Sequence, residues 1–102
     1  MAKYIIHHTQ WQEIPLEVHF CEIWSKAVSD NYGETFSHLE IHQPDKIRLP
    51  ITETGYLSHF VFASRVNEEG TPVDYVHKWL DEAAKSNEWK EYLRNSKQLT
   101  LF

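Results

Sequence analysis

The fold is decided by residues 56–84, which read Tyr56-LSHFVFASRVNEEGTPVDYVHKWLDEA-Ala84. In the first part of this stretch, large apolar residues recur at positions that differ by two or four, as they do on one face of a β-strand. We therefore predict a strand over Tyr56–Val66, with Tyr56, Phe60, Phe62 and Val66 on one face. The segment that follows, Asn67–Gly70, is typical of a turn.

A helix is predicted directly after this turn. Thr71 is a favourable N-cap, Pro72 suits the first helical position, and Asp74 lies where the helix dipole favours negative charge. Helical spacing then defines one buried stripe, which consists of Val73, Val76, His77, Leu80 and Ala84. A second helix, or a kinked continuation of the first, is predicted from about Ser86 to Asn95.

The residues before Tyr56 show strand-like alternation in three segments, which are Lys3–Thr9, Pro15–Trp24 and Phe36–His42. Glu22–Val28 is also compatible with a helical turn, and Ser29–Gly33 reads as a turn or loop. Lys46–Leu49 is predicted to be a short extended piece.

Strands come first and helices last, and this order indicates an α+β fold. We predict an antiparallel sheet of three to five strands with one or two C-terminal helices packed on one face, through Val73, Val76 and Leu80. Residues 1–95 are expected to form a single α+β domain, and residues 96–102 a flexible C-terminal tail with a docking peptide.

Composition and charge exclude several classes of function. The net charge of −5 disfavours strong direct binding to nucleic acid, which needs a basic face. The basic residues near the C-terminus are interleaved with Glu88 and Glu91, as on a solvated helix surface. A single cysteine, Cys21, and the lack of an export signal or a long apolar run favour a cytoplasmic protein that does not enter a membrane. The sequence does not indicate the oligomeric state.

The last five residues are Gln98, Leu99, Thr100, Leu101 and Phe102. They resemble the motif with which bacterial proteins bind the DNA sliding clamp, whose usual form is Gln-Leu-Ser/Asp-Leu-Phe. The resemblance implies that Gln98 hydrogen-bonds at the mouth of a groove on the clamp, and that Leu101 and Phe102 fill a hydrophobic pocket. An alternative from packing alone is that Leu99, Leu101 and Phe102 form a last strand or cover the core of their own domain.

The body of the chain is similar to a family of small proteins of unknown activity from bacterial plasmids and phages. The resemblance rests on Leu49–Phe60 and Val76–Ala84, with further similarity at His8–Trp11 and Ile14–Val18. It implies a mobile-element context and brings no catalytic residues. Leu57 stands where this family is associated with a basic residue, so a positive contact there is expected to be absent.

A metal-dependent or histidine-dependent enzyme is the alternative function. His38, Glu40 and His42 lie on one face of a predicted strand, and Glu17 and His19 belong to a possible neighbouring strand. Side chains at i, i+2 and i+4 stand in a row about 6–7 Å apart, so one straight strand does not bring three ligands to one ion. We therefore interpret these residues as a solvated sheet face, and we predict no catalytic residues, no metal and no cofactor.

A second polar group surrounds Gly55 and consists of Glu53, Tyr56, Ser58 and His59. Neighbouring residues on a strand point to opposite faces, so Ser58 and His59 cannot act as a nucleophile and its base. Thr52, Glu53 and Thr54 are expected to make hydrogen bonds within a loop, with Gly55 supplying a permissive backbone angle. The alternative is that the four residues form a recognition surface or an active site, and a histidine-dependent enzyme could also use His59.

Overall fold

The computed structural model describes the backbone of residues 3–100 and the side chains of residues 3–96. The strands are β1 (Ile5–Trp11), β2 (Ile14–Cys21), β3 (Phe36–His42) and β4 (Tyr56–Phe62). The helices are α1 (Lys26–Tyr32), α2 (Ala63–Glu69), α3 (Pro72–Ala83) and α4 (Asn87–Thr100). The strands form one antiparallel sheet in the order β1-β2-β3-β4, which confirms the predicted α+β class. None of the helices in this part of the chain has the length and apolarity that crossing a bilayer requires.

The first two strands form a hairpin with a two-residue turn. Gln12 and Glu13 both have positive φ angles, of 49° and 69°. Two successive residues of this kind give a turn whose twist matches that of the strands it joins. The turn therefore fixes the register in which Trp11 lies opposite Ile14 and Thr9 lies opposite Leu16.

The core lies between α3 and one face of the sheet. Leu16, Val18, Leu39 and Ile41 project from β2 and β3 and are at most 2% exposed. Val76 and Leu80 of α3 are fully buried against them, whereas Val73 is half-buried. Full burial of such a side chain contributes roughly 1.5–3 kcal/mol. The predicted packing of this helix on one face of the sheet is confirmed.

Helix α3 begins where the sequence predicted. The Thr71 hydroxyl accepts a hydrogen bond from the Asp74 backbone N–H, and the Asp74 carboxylate accepts one from the Thr71 backbone N–H. This reciprocal pair is a capping box, and Pro72 occupies the first turn. The cap satisfies backbone donors that have no partner within the helix.

The strand predicted over Tyr56–Val66 is too long, because β4 ends at Phe62 and α2 begins at Ala63. Ala63 and Val66 are buried, and their spacing of three residues suits one side of a helix. Val66 therefore does not share a strand face with Tyr56, Phe60 and Phe62. The predicted turn at Asn67–Gly70 is likewise mostly the end of α2.

Other boundaries differ from the sequence predictions at the ends of elements. The strand predicted over Pro15–Trp24 ends at Cys21, and helix α1 covers much of the predicted loop Ser29–Gly33. Ser25 caps α1 by accepting a hydrogen bond from the Val28 backbone N–H. The helix predicted to end at Asn95 corresponds to α4, whose backbone continues to Thr100.

The connection between β3 and β4 is held by buried groups. Leu49 is in the core, and Gln43 is 4% exposed. The Gln43 side chain donates a hydrogen bond to the Pro15 carbonyl and accepts one from the Ile47 backbone N–H. Gly55 has a φ of 81°, and a Cβ atom there would lie 2.9 Å from Lys46 Cα. The loop therefore needs glycine at this position, for its angle and for its close approach to the backbone.

Candidate functional site on the open face of the sheet

The face of the sheet opposite α3 carries the polar residues that the sequence singled out. Strand alternation places Glu17 and His19 of β2 on this face, together with His38, Glu40 and His42 of β3. Tyr56, Ser58 and Phe60 of β4 continue the same face. We refer to this surface as the open face, and to the surface under α3 as the covered face.

Two histidines and two glutamates alternate at the centre of the open face. His19 lies directly opposite Glu40, and Glu17 lies directly opposite His42, across the β2–β3 pair. Each strand therefore contributes one acid and one imidazole, and each imidazole faces an acid on the other strand. Directly opposite residues in an antiparallel pair have Cβ atoms about 4.5–5.5 Å apart, so the four side chains are in mutual reach.

Hydrogen bonds and ring stacking organise these four side chains. His19 Nε2 donates to Glu17 Oε1 over 3.0 Å, and His42 Nε2 donates to Glu40 Oε1 over 2.8 Å. The imidazole rings of His19 and His42 stack, with their centroids 4.2 Å apart. The hydrogen bond from His19 holds the pKa of the Glu17 carboxyl below its usual range, and the charges of His19, His8 and His42 act in the same direction.

The residues that could bind one metal ion differ from the row predicted along β3. One ligand atom each from His19, Glu40 and His42 lie within 4.8 Å of one another. His19 thus takes the place of His38 in this group of three, although His38 Nδ1 also lies 3.6 Å from Glu40 Oε2. Sequence reasoning noted His19 on a possible neighbouring strand, but the pairing of β2 with β3 was needed to place it.

His38 also contacts residues outside the group of glutamates and histidines. It is 6% exposed and stacks on Phe60, with ring centroids 4.4 Å apart. The Tyr4 hydroxyl lies against Nδ1, and the Ser58 hydroxyl lies 2.6 Å from Nε2. Each ring nitrogen thus has a hydroxyl partner, and the position of the ring proton decides which nitrogen donates. His38 thus links the polar centre of the open face to its aromatic end.

That aromatic end is formed by side chains around the end of β4, which are Trp24, Tyr32, Phe36, Phe60 and Phe62. Phe36 and Phe60 stack with centroids 5.7 Å apart, and Trp24 meets the Phe60 ring edge-on at 4.7 Å. Trp24 and Phe60 remain 41% and 45% exposed, so helix α1 covers this end only in part.

Comparison with known proteins places these residues in a family. Residues 4–89 match the family described as the KlcB third domain. The chain belongs to this family. No curated protein and no solved structure matched. KlcB is plasmid-encoded. Of the two contexts that the resemblance implied, plasmid and phage, the family match therefore supports the plasmid.

The match to the KlcB third domain contains the whole open face and all four strands. It ends at Trp89, within α4, so residues 98–102 lie outside it. The backbone of Gln98, Leu99 and Thr100 belongs to α4. The side chains of these three residues, and all of Leu101 and Phe102, lie outside the described part of the chain.

The possible recognition surface around Gly55 is divided by the sheet. Tyr56 and Ser58 lie on the open face, where the Tyr56 ring meets His42 with centroids 5.0 Å apart. Glu53 is exposed in the preceding loop, and its carboxylate lies 3.7 Å from the Arg48 guanidinium. Thr52 and Thr54 donate hydrogen bonds to the Tyr56 carbonyl, as expected for this loop.

His59 belongs to the covered face. Its ring lies 4.6 Å from the Trp79 ring, and Nε2 lies 3.2 Å from the Tyr75 hydroxyl. Burial lowers the pKa of His59, and the nearby His38 acts in the same direction. Burial also raises the pKa of Tyr75. The two groups therefore form a neutral pair at the floor of a groove of about 420 Å³, which Glu69, Lys78 and Glu82 also line.

Proposed function

We infer that this protein is a non-enzymatic adaptor or modulator that docks on the bacterial DNA sliding clamp through Gln98–Phe102. The observation that carries this function is the similarity of these residues to the clamp-binding motif, in which Thr100 replaces the usual Ser or Asp. Membership of the KlcB third domain family supports a plasmid context. We propose replication or repair of plasmid or phage DNA as the process that the docking serves.

The position of the peptide supports a docking role. Among the described side chains, Trp89 and Tyr92 are the residues of α4 that pack on the core, and the Arg48 guanidinium lies over the Tyr92 ring at 4.5 Å. Leu93, Arg94 and Asn95 are exposed. At 1.5 Å per residue, the α4 backbone rises about 9 Å between Tyr92 and Gln98. The peptide therefore begins about one and two-thirds helical turns beyond the last of these core contacts.

The expected affinity suits reversible recruitment. Burying Leu101 and Phe102 in a pocket contributes roughly 1.5–3 kcal/mol for each side chain. A polar contact from Gln98 orients the peptide, as in other short linear ligands. After the cost of ordering the peptide is subtracted, these contributions correspond to a dissociation constant of roughly micromolar order.

Truncation tests this function. We expect that the chain without Gln98–Phe102 no longer binds an immobilised bacterial clamp, while its melting temperature stays close to that of the intact chain. The double variant Leu101→Ala/Phe102→Ala should behave in the same way, because the pocket loses both anchors. Thr100→Ser is the matched control, because it restores the usual third residue and should keep the binding.

Two results would contradict the proposal. One is a truncated chain that binds the clamp as well as the intact chain does, which would place any contact elsewhere on the domain. The other is a melting temperature that falls by many degrees on truncation. Such a fall would mean that Leu99, Leu101 and Phe102 cover the core of their own domain.

A further inference from the structure

We propose that His19, Glu40 and His42 form a binding site for a divalent transition-metal ion of the Zn²⁺ type on the open face. The proposal is independent of clamp docking, because it concerns residues of the sheet. It rests on three ligand-type atoms, one from each residue, that lie within 4.8 Å of one another.

No two of these ligand-type atoms are more than about 1.5 Å farther apart than in a formed zinc site. In a tetrahedral zinc site with bonds of about 2.0–2.1 Å, neighbouring ligand atoms lie about 3.3 Å apart. All three side chains are partly exposed, at 20% for His19, 22% for Glu40 and 35% for His42. Because none of the three side chains is buried, each has room to rotate about its side-chain bonds when an ion binds.

The backbone beneath the site is held in place. β2 and β3 are the two central strands, and each is hydrogen-bonded on both sides. On the covered face, Val18 and Ile41 are fully buried directly opposite each other, one position from the proposed ligands. The free-energy cost of ordering the main chain on metal binding is consequently small. A site whose backbone is already ordered in this way is preorganised.

The ligand set selects the kind of ion. Two imidazole nitrogens and one carboxylate oxygen suit Zn²⁺ and neighbouring transition metals, whereas Mg²⁺ and Ca²⁺ prefer sites made of oxygen atoms. Three protein ligands leave a fourth tetrahedral position for water. Ser58, directly opposite Glu40, and Tyr56, beside His42, border the site.

Glu17 supports the site from outside the ligand set. Its carboxylate accepts the hydrogen bond from His19 Nε2, the kind of contact that orients metal-binding histidines when the other nitrogen binds the ion. Glu17 and Glu40 together carry two negative charges, which balance a divalent cation. The acid-imidazole alternation of the open face thus supplies ligands and charge balance in one place.

Titration of the intact, metal-free protein with Zn²⁺ alone tests the proposal, with Co²⁺ as a coloured substitute. We expect calorimetry to show one ion bound per chain. With Co²⁺, we expect the visible absorption bands that a metal site of low symmetry gives. His19→Ala, His42→Ala and Glu40→Gln should each abolish this binding event. Glu17→Gln should weaken it by about 10-fold, since it removes only an outer partner.

His8→Ala is the matched control, because His8 is an exposed histidine on the same face, directly opposite Glu17 and outside the proposed ligand set. It should leave the affinity unchanged. The proposal is overturned if no stoichiometric binding is seen. It is also overturned if His8→Ala weakens binding as much as His42→Ala, which indicates adventitious capture by surface histidines. Circular dichroism of each variant ensures that a loss of binding is not a loss of folding.

Discussion

The two faces of the sheet are built from the same strands and differ in burial and in polarity. On β2 and β3, the covered face carries Leu16, Val18, Leu39 and Ile41, all buried beneath α3. One position away along the same strands, the open face carries the alternating glutamates and histidines. Because side chains alternate with a period of two, each strand serves both faces at once.

Because the two faces differ in burial, we expect that stability and surface chemistry can be altered separately in this domain. Removing a side chain from the covered face leaves a cavity in a packed layer. Removing an exposed side chain from the open face, such as Phe60, leaves a space that water can fill. Substitutions on the two faces should therefore have effects of different kinds, and measurements can rank them.

The largest expected effect comes from the covered face. Leu80→Ala should lower the free energy of unfolding by about 2–5 kcal/mol, because Leu80 is fully buried between α3 and the sheet. Phe60→Ala on the open face should cost clearly less, because Phe60 is 45% exposed. Urea denaturation of both variants measures the difference. Equal losses would contradict the comparison and would indicate that the open face is covered in solution.

A smaller effect is expected at the edge of the covered face. Trp11 is 3% exposed, and its Nε1 donates a hydrogen bond to Asp81 Oδ1 over 2.8 Å. Trp11→Phe removes this donor and part of the ring, so we expect a loss of about 1 kcal/mol or slightly more. Asp81→Asn keeps an acceptor and should cost less than Trp11→Phe. If Asp81→Asn cost as much, the charge of Asp81 would matter more than the contact.

The smallest expected effect is a dependence of stability on pH. Burial lowers the pKa of His59 from its ordinary value of 6.5, so the unfolded chain binds this proton at a higher pH than the folded chain does. This group therefore reduces stability as the pH falls below 6.5, and it has no such effect above that value. The Tyr75 hydroxyl contacts the ring, and Glu69, Lys78 and Glu82 line the same groove, whereas His38 lies on the opposite face of the sheet.

His59→Gln isolates this contribution, because it cannot titrate and still offers a partner to Tyr75. The free energy of unfolding, measured by urea denaturation at pH 7 and pH 5, should fall less in His59→Gln than in the natural chain. An identical fall in both proteins would show that the buried ring on the covered face does not resist protonation.

Much of the fold could be predicted from local sequence signals. The bounds of β3 agree with the prediction, and the cap at Thr71 and Asp74 marks the start of α3. The error at Ala63–Val66 arose because an apolar spacing that suits a strand over a few residues also suits one turn of a helix. Only packing of Ala63 and Val66 decides between the two, and packing is a tertiary property.

The open-face cluster could be predicted only in part. The sequence brings Glu40 and His42 to one face through alternation, and it places Glu17 and His19 on a possible neighbouring strand. Which residue of β2 lies opposite Glu40 depends on the register between the strands, and the chain between them contains α1. Turn signals in one sequence do not fix the register across such a connection, so the sequence groups His38, and not His19, with Glu40 and His42.

Docking on the clamp through Gln98–Phe102 can be measured by competition for the groove of the clamp. A fluorescent peptide with the sequence of Gln98–Phe102 is bound to a purified bacterial sliding clamp, and its anisotropy is followed as unlabelled intact protein is added. The proposed function predicts that the intact protein displaces the peptide at roughly micromolar concentration, and that Leu101→Ala/Phe102→Ala does not. Failure of the labelled peptide to bind, or equal displacement by the intact protein and the double variant, would contradict it.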